Sequence, residues 1–303
     1  LAKTIRIGTR DSELALWQAT TVQKSLENLG YETHLIPVKS TGDLILDKPL
    51  YELGITGIFT KTLDIAMLNG TIDIAVHSMK DVPTALPKGI VEAAVLKRAN
   101  VQDILVHKGL DFIEQEGVIA TGSLRRKAQW LHKYPTHRVV DLRGNVNTRM
   151  QKLTDNDWNG AIFAAAGLER INLKPDLYMN LDWMTPAPAQ GAMLVVAKEE
   201  DKYCREALAN LNDKNSEICV HIEREFLREL EGGCTAPIGA LAKIQNDTIN
   251  FRGVLYSLDG KNKIEVHKMI KVSDTSNLGK TCAQEILNNG GKELMEKIKA
   301  EIG

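Results

Sequence analysis

Three groups of residues in this 303-residue chain have the types and spacing to do chemistry. The first is Glu231-Gly232-Gly233-Cys234-Thr235-Ala236-Pro237. Apolar residues recur at helical spacing over 216–230, and the two glycines then stop that helix and turn the backbone. A sulfur on such a turn is presented for attachment or attack, whereas a core cysteine is a small inert hydrophobe. The second group, His77-Ser78-Met79-Lys80-Asp81-Val82-Pro83, closes the apolar run 72–76. On an open surface Lys80 and Asp81 would be a pair of little consequence. At the end of a sheet strand they offer a cation for a ligand carboxylate and an anion for a developing positive charge. The third group is the arginines Arg10, Arg125, Arg126, Arg143, Arg149 and Arg170. A guanidinium donates two parallel hydrogen bonds and so suits carboxylates and phosphates.

The charge distribution sharpens the last point. The formal net charge is −1, yet residues 121–152 hold eight Lys or Arg against one acid, Asp141. A local basic block in a near-neutral chain suits a small polyanion better than a long nucleic acid. Neither GxxxxGK[ST] nor GxGxxG accompanies it, which disfavours a nucleotide. The four cysteines, Cys204, Cys219, Cys234 and Cys282, form no CxxC pair, so neither a metal site nor a disulfide framework is expected, and a reducing compartment suits them. No apolar run is long enough for a membrane span. The sequence opens directly on strand-like alternation, which gives the expectation of no export signal and a cytoplasmic location.

The elements that must position these residues follow from periodicity. A strand over 4–8, a polar turn holding Arg10 and a capping Asp11 or Ser12, a helix over 13–29 and a strand over 31–38 make a βαβ unit, hence a parallel sheet with ligands at its strand carboxyl ends. Residues 42–56 read as a lid-like loop. Phe59-Thr60-Lys61 opens a helix to 68, and strands follow at 72–76 and 90–95. A second set begins at 103–107 and 119–120. Thr121-Gly122-Ser123 then leads into a helix over 124–134, where free N–H groups favour an anion. Arg125 and Arg126 in its first turn oppose the helix dipole, so an anion is expected there to compensate. A strand over 138–142, the turn Arg143-Gly144-Asn145, a helix over 146–153 with Arg149, and a strand over 158–165 running on towards Arg170 complete the set. Three successive strand ends thus each deliver arginine. The proline-rich run 184–191 reads as a hinge or crossing segment, and 192–197 as a strand returning to the first sheet. Strands at 238–244, 248–255 and 263–272 and a last helix over 276–302 form a small α+β domain.

With these residues in place the chain resembles the porphobilinogen deaminase family over essentially its whole length. The carriers are Gly8-Thr9-Arg10-Asp11-Ser12, Phe59-Thr60-Lys61, Ala75 to Pro83, Ser123-Leu124-Arg125-Arg126, Leu142-Arg143-Gly144-Asn145-Val146-Asn147-Thr148-Arg149, Ala166-Gly167-Leu168, Gln190-Gly191-Ala192 and Leu230-Glu231-Gly232-Gly233-Cys234. Gly122 departs from the family's usual Gly-Thr-Ser before Ser123. The resemblance implies two periplasmic-binding-protein-like α/β domains, 1–97 with 192–211 and 98–191, and a C-terminal α+β domain, 212–303. It implies a transferase that condenses four porphobilinogen molecules head to tail, releasing ammonia, and then frees hydroxymethylbilane. Its dipyrromethane cofactor would hang on Cys234 through a thioether. Asp81, Lys80, Arg10 and Gln18 would be catalytic, with Asp81 meeting pyrrole N–H groups. Asp81, Lys80, Ser123, Arg125, Arg126, Arg143 and Gly144 would hold the cofactor, and Arg10, Ser12, Arg143, Arg149, Arg170, Phe59 and Gln190 the substrate. A monomer, with no metal and no nucleic-acid partner, would pass its product to uroporphyrinogen-III synthase. Two other readings of the same residues are a binding protein for a small anion, and a thiol transferase pairing Cys234 with His77 or His221.

Overall fold

The computed structural model describes residues 3–39, 60–230 and 236–302. The expected lid over 42–56, Phe59 and the Cys234 turn lie outside the described residues. In chain order the strands are β1 (Ile5–Thr9), β2 (Thr33–Pro37), β3 (Ile74–Ser78), β4 (Ile90–Val95), β5 (Asp103–His107), β6 (Val118–Ala120), β7 (Arg138–Val140), β8 (Gly160–Ala164), β9 (Tyr178–Asn180), β10 (Met193–Lys198), β11 (Ile238–Gln245), β12 (Thr248–Tyr256) and β13 (Lys263–Lys271). The helices are α1 (Glu13–Asn28), α2 (Lys61–Leu68), α3 (Leu124–Lys133), α4 (Val146–Asp155), α5 (Ala165–Arg170), α6 (Lys202–Ala209), α7 (Lys214–Glu229), α8 (Leu278–Ile286) and α9 (Lys292–Ile302).

Contacts divide the chain into two compact units. The described residues of Leu1–Leu46, Ile55–Ala99 and Gly191–Ile218 form unit 1; those of Asn100–Gln190 and Cys219–Gly303 form unit 2. Unit 1 holds a five-stranded sheet in the order β2-β1-β3-β10-β4. β1 pairs in parallel with β2 and β3, and β10 runs antiparallel between β3 and β4. Its inner strands are apolar on both faces because helices cover both faces. Ile5, Ile7, Ile74, Val76 and Val195 pack with Val22 and Leu26 of α1 and Leu208 of α6. At the amino ends of β1 and β3, Arg6 grips Asp73 through Nε and Nη2, both at 2.9 Å. Burial alone would raise the Asp73 carboxyl, but the side-chain and backbone hydrogen bonds of Arg6, with Lys3, hold it down to about 2.

The first sheet of unit 2 has the order β7-β6-β8-β5-β9 and the same run of orientations. β6 is parallel to β7 and β8, and β5 is antiparallel to β8 and β9. Both sheets are therefore mixed, where the βαβ reading gave parallel ones. The antiparallel members are β10 in the first sheet and β5 in the second. Unit 2 also contains the antiparallel sheet β11-β12-β13, with α8 against it. Two mixed five-stranded α/β sheets and a small antiparallel α+β part are thus the architecture.

Within unit 2 the small sheet meets α3 at close range. His132 and Tyr256 rings meet edge to face at 5.2 Å, His132 Nδ1 lies 2.7 Å from the Gly260 carbonyl, and Ala240 N–H donates to the Pro186 carbonyl at 3.0 Å. Buried Glu223 of α7 accepts from Ala189 and Ala242 N–H, both at 2.7 Å.

Three expectations about elements are corrected. β3 begins and ends two residues later than 72–76, so His77 and Ser78 belong to the strand. Arg170 stands at the end of the six-residue helix α5 rather than on a strand end. The last helix is two, because Gly290 at φ 96° and the adjoining Asn289 break it. The three-residue strand β9 was too short to show alternation, and the helix α6 was missed although Cys204, Ala207 and Leu208 fall at helical spacing.

Candidate active site

In unit 1 the candidate residues gather at the carboxyl ends of the parallel neighbours β1 and β3. Arg10 follows β1 directly. Ser12 caps α1, its side chain accepting from Ala15 N–H at 3.4 Å, as a serine before an apolar-periodic run should. β3 ends in one 3₁₀ turn, Met79–Asp81. Met79 is wholly buried, its N–H donates to the Ala192 carbonyl at 3.0 Å, and Val82 N–H returns to the Met79 carbonyl at 3.2 Å. That anchoring leaves Lys80 and Asp81 half-buried on a fixed backbone. Gln18, buried on α1, donates through Nε2 to Ser78 Oγ at 2.9 Å and so ties the helix to the turn. His77 is buried, and burial, helped by the charge of Arg10, lowers its pKa to about 4. It is neutral near pH 7. His221, by contrast, is exposed on α7.

Unit 2 repeats the plan. β6 leads into α3 as β1 leads into α1, and Ser123 caps α3 with its oxygen accepting from Arg126 N–H at 3.4 Å. Gly122 has no room for a side chain: a Cβ there would lie 2.6 Å from the Leu142 carbonyl oxygen. Arg125 and Arg126 are buried and share the carboxylate of buried Asp103. Removing one partner from such a buried pair typically costs about 3–5 kcal/mol. Part of the anion that the sequence demands beside α3 is therefore built into the protein. After β7, Asn145 caps α4 by accepting from Thr148 N–H at 2.9 Å, and Gly144 turns the chain at φ 113°. The Gly144 carbonyl accepts from Arg149 Nε at 2.6 Å, and the Arg143 carbonyl from Lys152 Nζ at 3.1 Å. Gln190 is fully buried, its amide donating to the Val101 carbonyl at 2.8 Å and to Asp103 Oδ1 at 3.1 Å.

Burial depresses three of these guanidinium groups: Arg125 and Arg143 fall below the usual arginine value, and Arg170 falls to about 10. Cations held at such a cost fit a ligand that brings several carboxylates. One buried donor, Arg125 Nε, has no hydrogen-bond partner among the described residues, which also fits. Asp103 and Glu223 were missed by sequence reasoning. For Asp103 a signal existed: an acid opening the apolar run Ile104-Leu105-Val106 must find a partner.

The described residues thus form two mixed α/β sheets with cations at their strand ends. Among solved structures the chain is similar to a periplasmic substrate-binding protein of an ABC transporter from Coxiella burnetii, at 14% identity over 70% of this chain and 94% of that one, with a TM-score of 0.44. Family models match twice: "porphobilinogen deaminase, dipyromethane cofactor binding domain" over residues 5–206, and "porphobilinogen deaminase, C-terminal domain" over 217–288. Relatives named porphobilinogen deaminase include those of Campylobacter hominis, 40% identical over 97% of this chain and 98% of the relative, and of Chloroherpeton thalassium, 37% identical over 99% of each. The chain belongs to the porphobilinogen deaminase family.

Proposed function

We propose that this transferase joins four porphobilinogen molecules head to tail, with loss of ammonia at each addition, and releases hydroxymethylbilane for tetrapyrrole biosynthesis. The family match over 5–206, to the cofactor-binding domain itself, carries this reading. The dipyrromethane, when bound, supplies the starting pyrrole carbon to which the first substrate is joined. Cys234 is the residue that tethers it. Asp81, on its anchored turn, accepts pyrrole N–H groups and favours the positive charge that develops as ammonia leaves. Gln18 fixes that turn through Ser78. Lys80, Ser123, Arg125, Arg126, Arg143 and the Gly144 backbone hold cofactor carboxylates; Arg10, Ser12, Arg149, Arg170, Phe59 and Gln190 serve the incoming substrate. Each charged hydrogen bond contributes about 1.5–3 kcal/mol.

The three separate sheets support a division into domains 1–97 with 192–211, 98–191 and 212–303. We further infer a monomer, working in the cytoplasm, whose product goes to uroporphyrinogen-III synthase. The absence of any CxxC pair supports a reducing compartment, and no helix among the described residues is long and apolar enough to cross a membrane. Intact mass tests the core of the reading. The purified protein is expected to exceed its sequence mass by one dipyrromethane and to colour with Ehrlich's reagent, and Cys234→Ser to lose both. An active enzyme of unmodified mass refutes it.

A further inference from the structure

Asp103 opens β5 and is fully buried. Its oxygens are divided. Oδ2 accepts from Arg125 Nη1 at 2.7 Å; Oδ1 accepts from Arg126 Nε at 2.9 Å and Gln190 Nε2 at 3.1 Å, with Arg126 Nη2 at 2.8 Å. The Ile162 carbonyl takes Arg126 Nη1 at 3.0 Å, so every nitrogen of that guanidinium is engaged inside unit 2. Arg125 is different. Nη1 also reaches the Thr185 carbonyl at 2.8 Å and Nη2 lies 3.5 Å from Gln190 Oε1, but Nε is buried with no hydrogen bond among the described residues. Thr185 Oγ1 is likewise buried and has no partner among the described residues. Two guanidiniums on one carboxylate leave a net positive charge where water is scarce, an arrangement that a further carboxylate relieves.

Resting on the cofactor reading above, we propose that Asp103 is a positioning residue for the primer: it fixes Arg125 and Arg126 side by side and leaves the pair one negative charge short, which an acetate or propionate of the dipyrromethane supplies. Asp103 touches no ligand carboxylate, which it would repel; it acts through the arginines. It is itself held by the sheet, its carbonyl accepting from Leu181 N–H at 3.0 Å. Arg125 is the member of the pair with a donor to spare, and Arg126 is the brace that keeps Asp103 from neutralising Arg125 outright.

The test compares the enzyme as purified from cells with Asp103→Asn, Asp103→Glu and Arg126→Met. Primer occupancy is read by intact mass, stability by thermal midpoint, and turnover as kcat and KM separately. In Asp103→Asn, KM is expected to rise about tenfold, the worth of one charge-assisted hydrogen bond, and by more than kcat falls, with occupancy below the parent's. Asp103→Glu restores most of the occupancy. Arg126→Met breaks the buried pair, so the thermal midpoint falls and occupancy falls with it; a merely structural arginine would lower the midpoint and leave the protein fully loaded. Folded Asp103→Asn with the parent's occupancy and KM overturns the proposal, as does Arg126→Met that loses stability but stays fully loaded. If Asp103→Asn does not fold, Asp103→Glu decides: a KM above the parent's supports the proposal, and the parent's KM and occupancy overturn it. A parent enzyme without the primer mass overturns the cofactor reading and this inference together; a loaded parent with equally loaded variants overturns only this inference.

Discussion

Asp81 and His77 lie four residues apart and experience opposite surroundings. Asp81 sits half-buried on a turn that Met79 pins from below, so its carboxylate can meet a cationic ring without being sealed from solvent. Asp81→Asn preserves shape and removes the charge. Turnover is expected to drop by at least about 10²-fold, as when one preorganised electrostatic partner is lost, with the thermal midpoint nearly unchanged; steady-state assay beside calorimetry checks it. His77 is buried neutral, its pKa lowered from 6.5 to about 4. Below about pH 6.5 the unfolded chain takes up this proton before the folded one does, so stability declines as pH falls from 6.5 to about 4. Asp73 then adds a second, lower window, since its carboxyl, held at about 2 against an ordinary 3.8, gives up its contribution as pH falls between those values. In His77→Gln the upper window is expected to flatten and the lower to persist, seen in urea midpoints measured from pH 7 to pH 3.

At the scale of elements, the same device recurs: a short strand, a short turn, a serine cap, then a helix whose first turns face the functional end. Ser12 before α1 and Ser123 before α3 are its two instances. The hairpin turn at Gly260 braces the second. Its φ is 76°, and a Cβ would come within 2.3 Å of the Ala128 carbonyl oxygen of α3. Gly260→Ala is expected to cost about 1–3 kcal/mol from strain and lost docking, visible as a lower thermal midpoint. These caps and strands were legible in the sequence because capping residues, glycines and apolar runs act locally. Strand orientation was not. Nothing within Met193–Lys198 states that it runs antiparallel between β3 and β4, because that choice is made by residues far away in the chain. Likewise the partners of Arg125 and Arg126 were half legible. Their conflict with the helix dipole announced an anion, but that Asp103 supplies part of it depends on the β5–β8 pairing, which places an acid 22 positions upstream beside α3.

For the whole molecule, two units with separate cores need not unfold together. Of the four tryptophans, Trp17 belongs to unit 1, while Trp130, Trp158 and Trp183 belong to unit 2. Tryptophan fluorescence therefore reports mainly on unit 2, and far-ultraviolet circular dichroism on both. Urea transitions followed by the two signals are expected to diverge, and coincident curves would argue for a single cooperative block. The placement of β10 between β3 and β4 has a consequence for biogenesis. The first sheet cannot close until residues 193–198 have left the ribosome, whereas the five strands of the second are all encoded between residues 103 and 180. During translation the later-encoded sheet is complete first, and the amino-terminal one must wait, its two edges held open, for a strand made after its neighbour is finished.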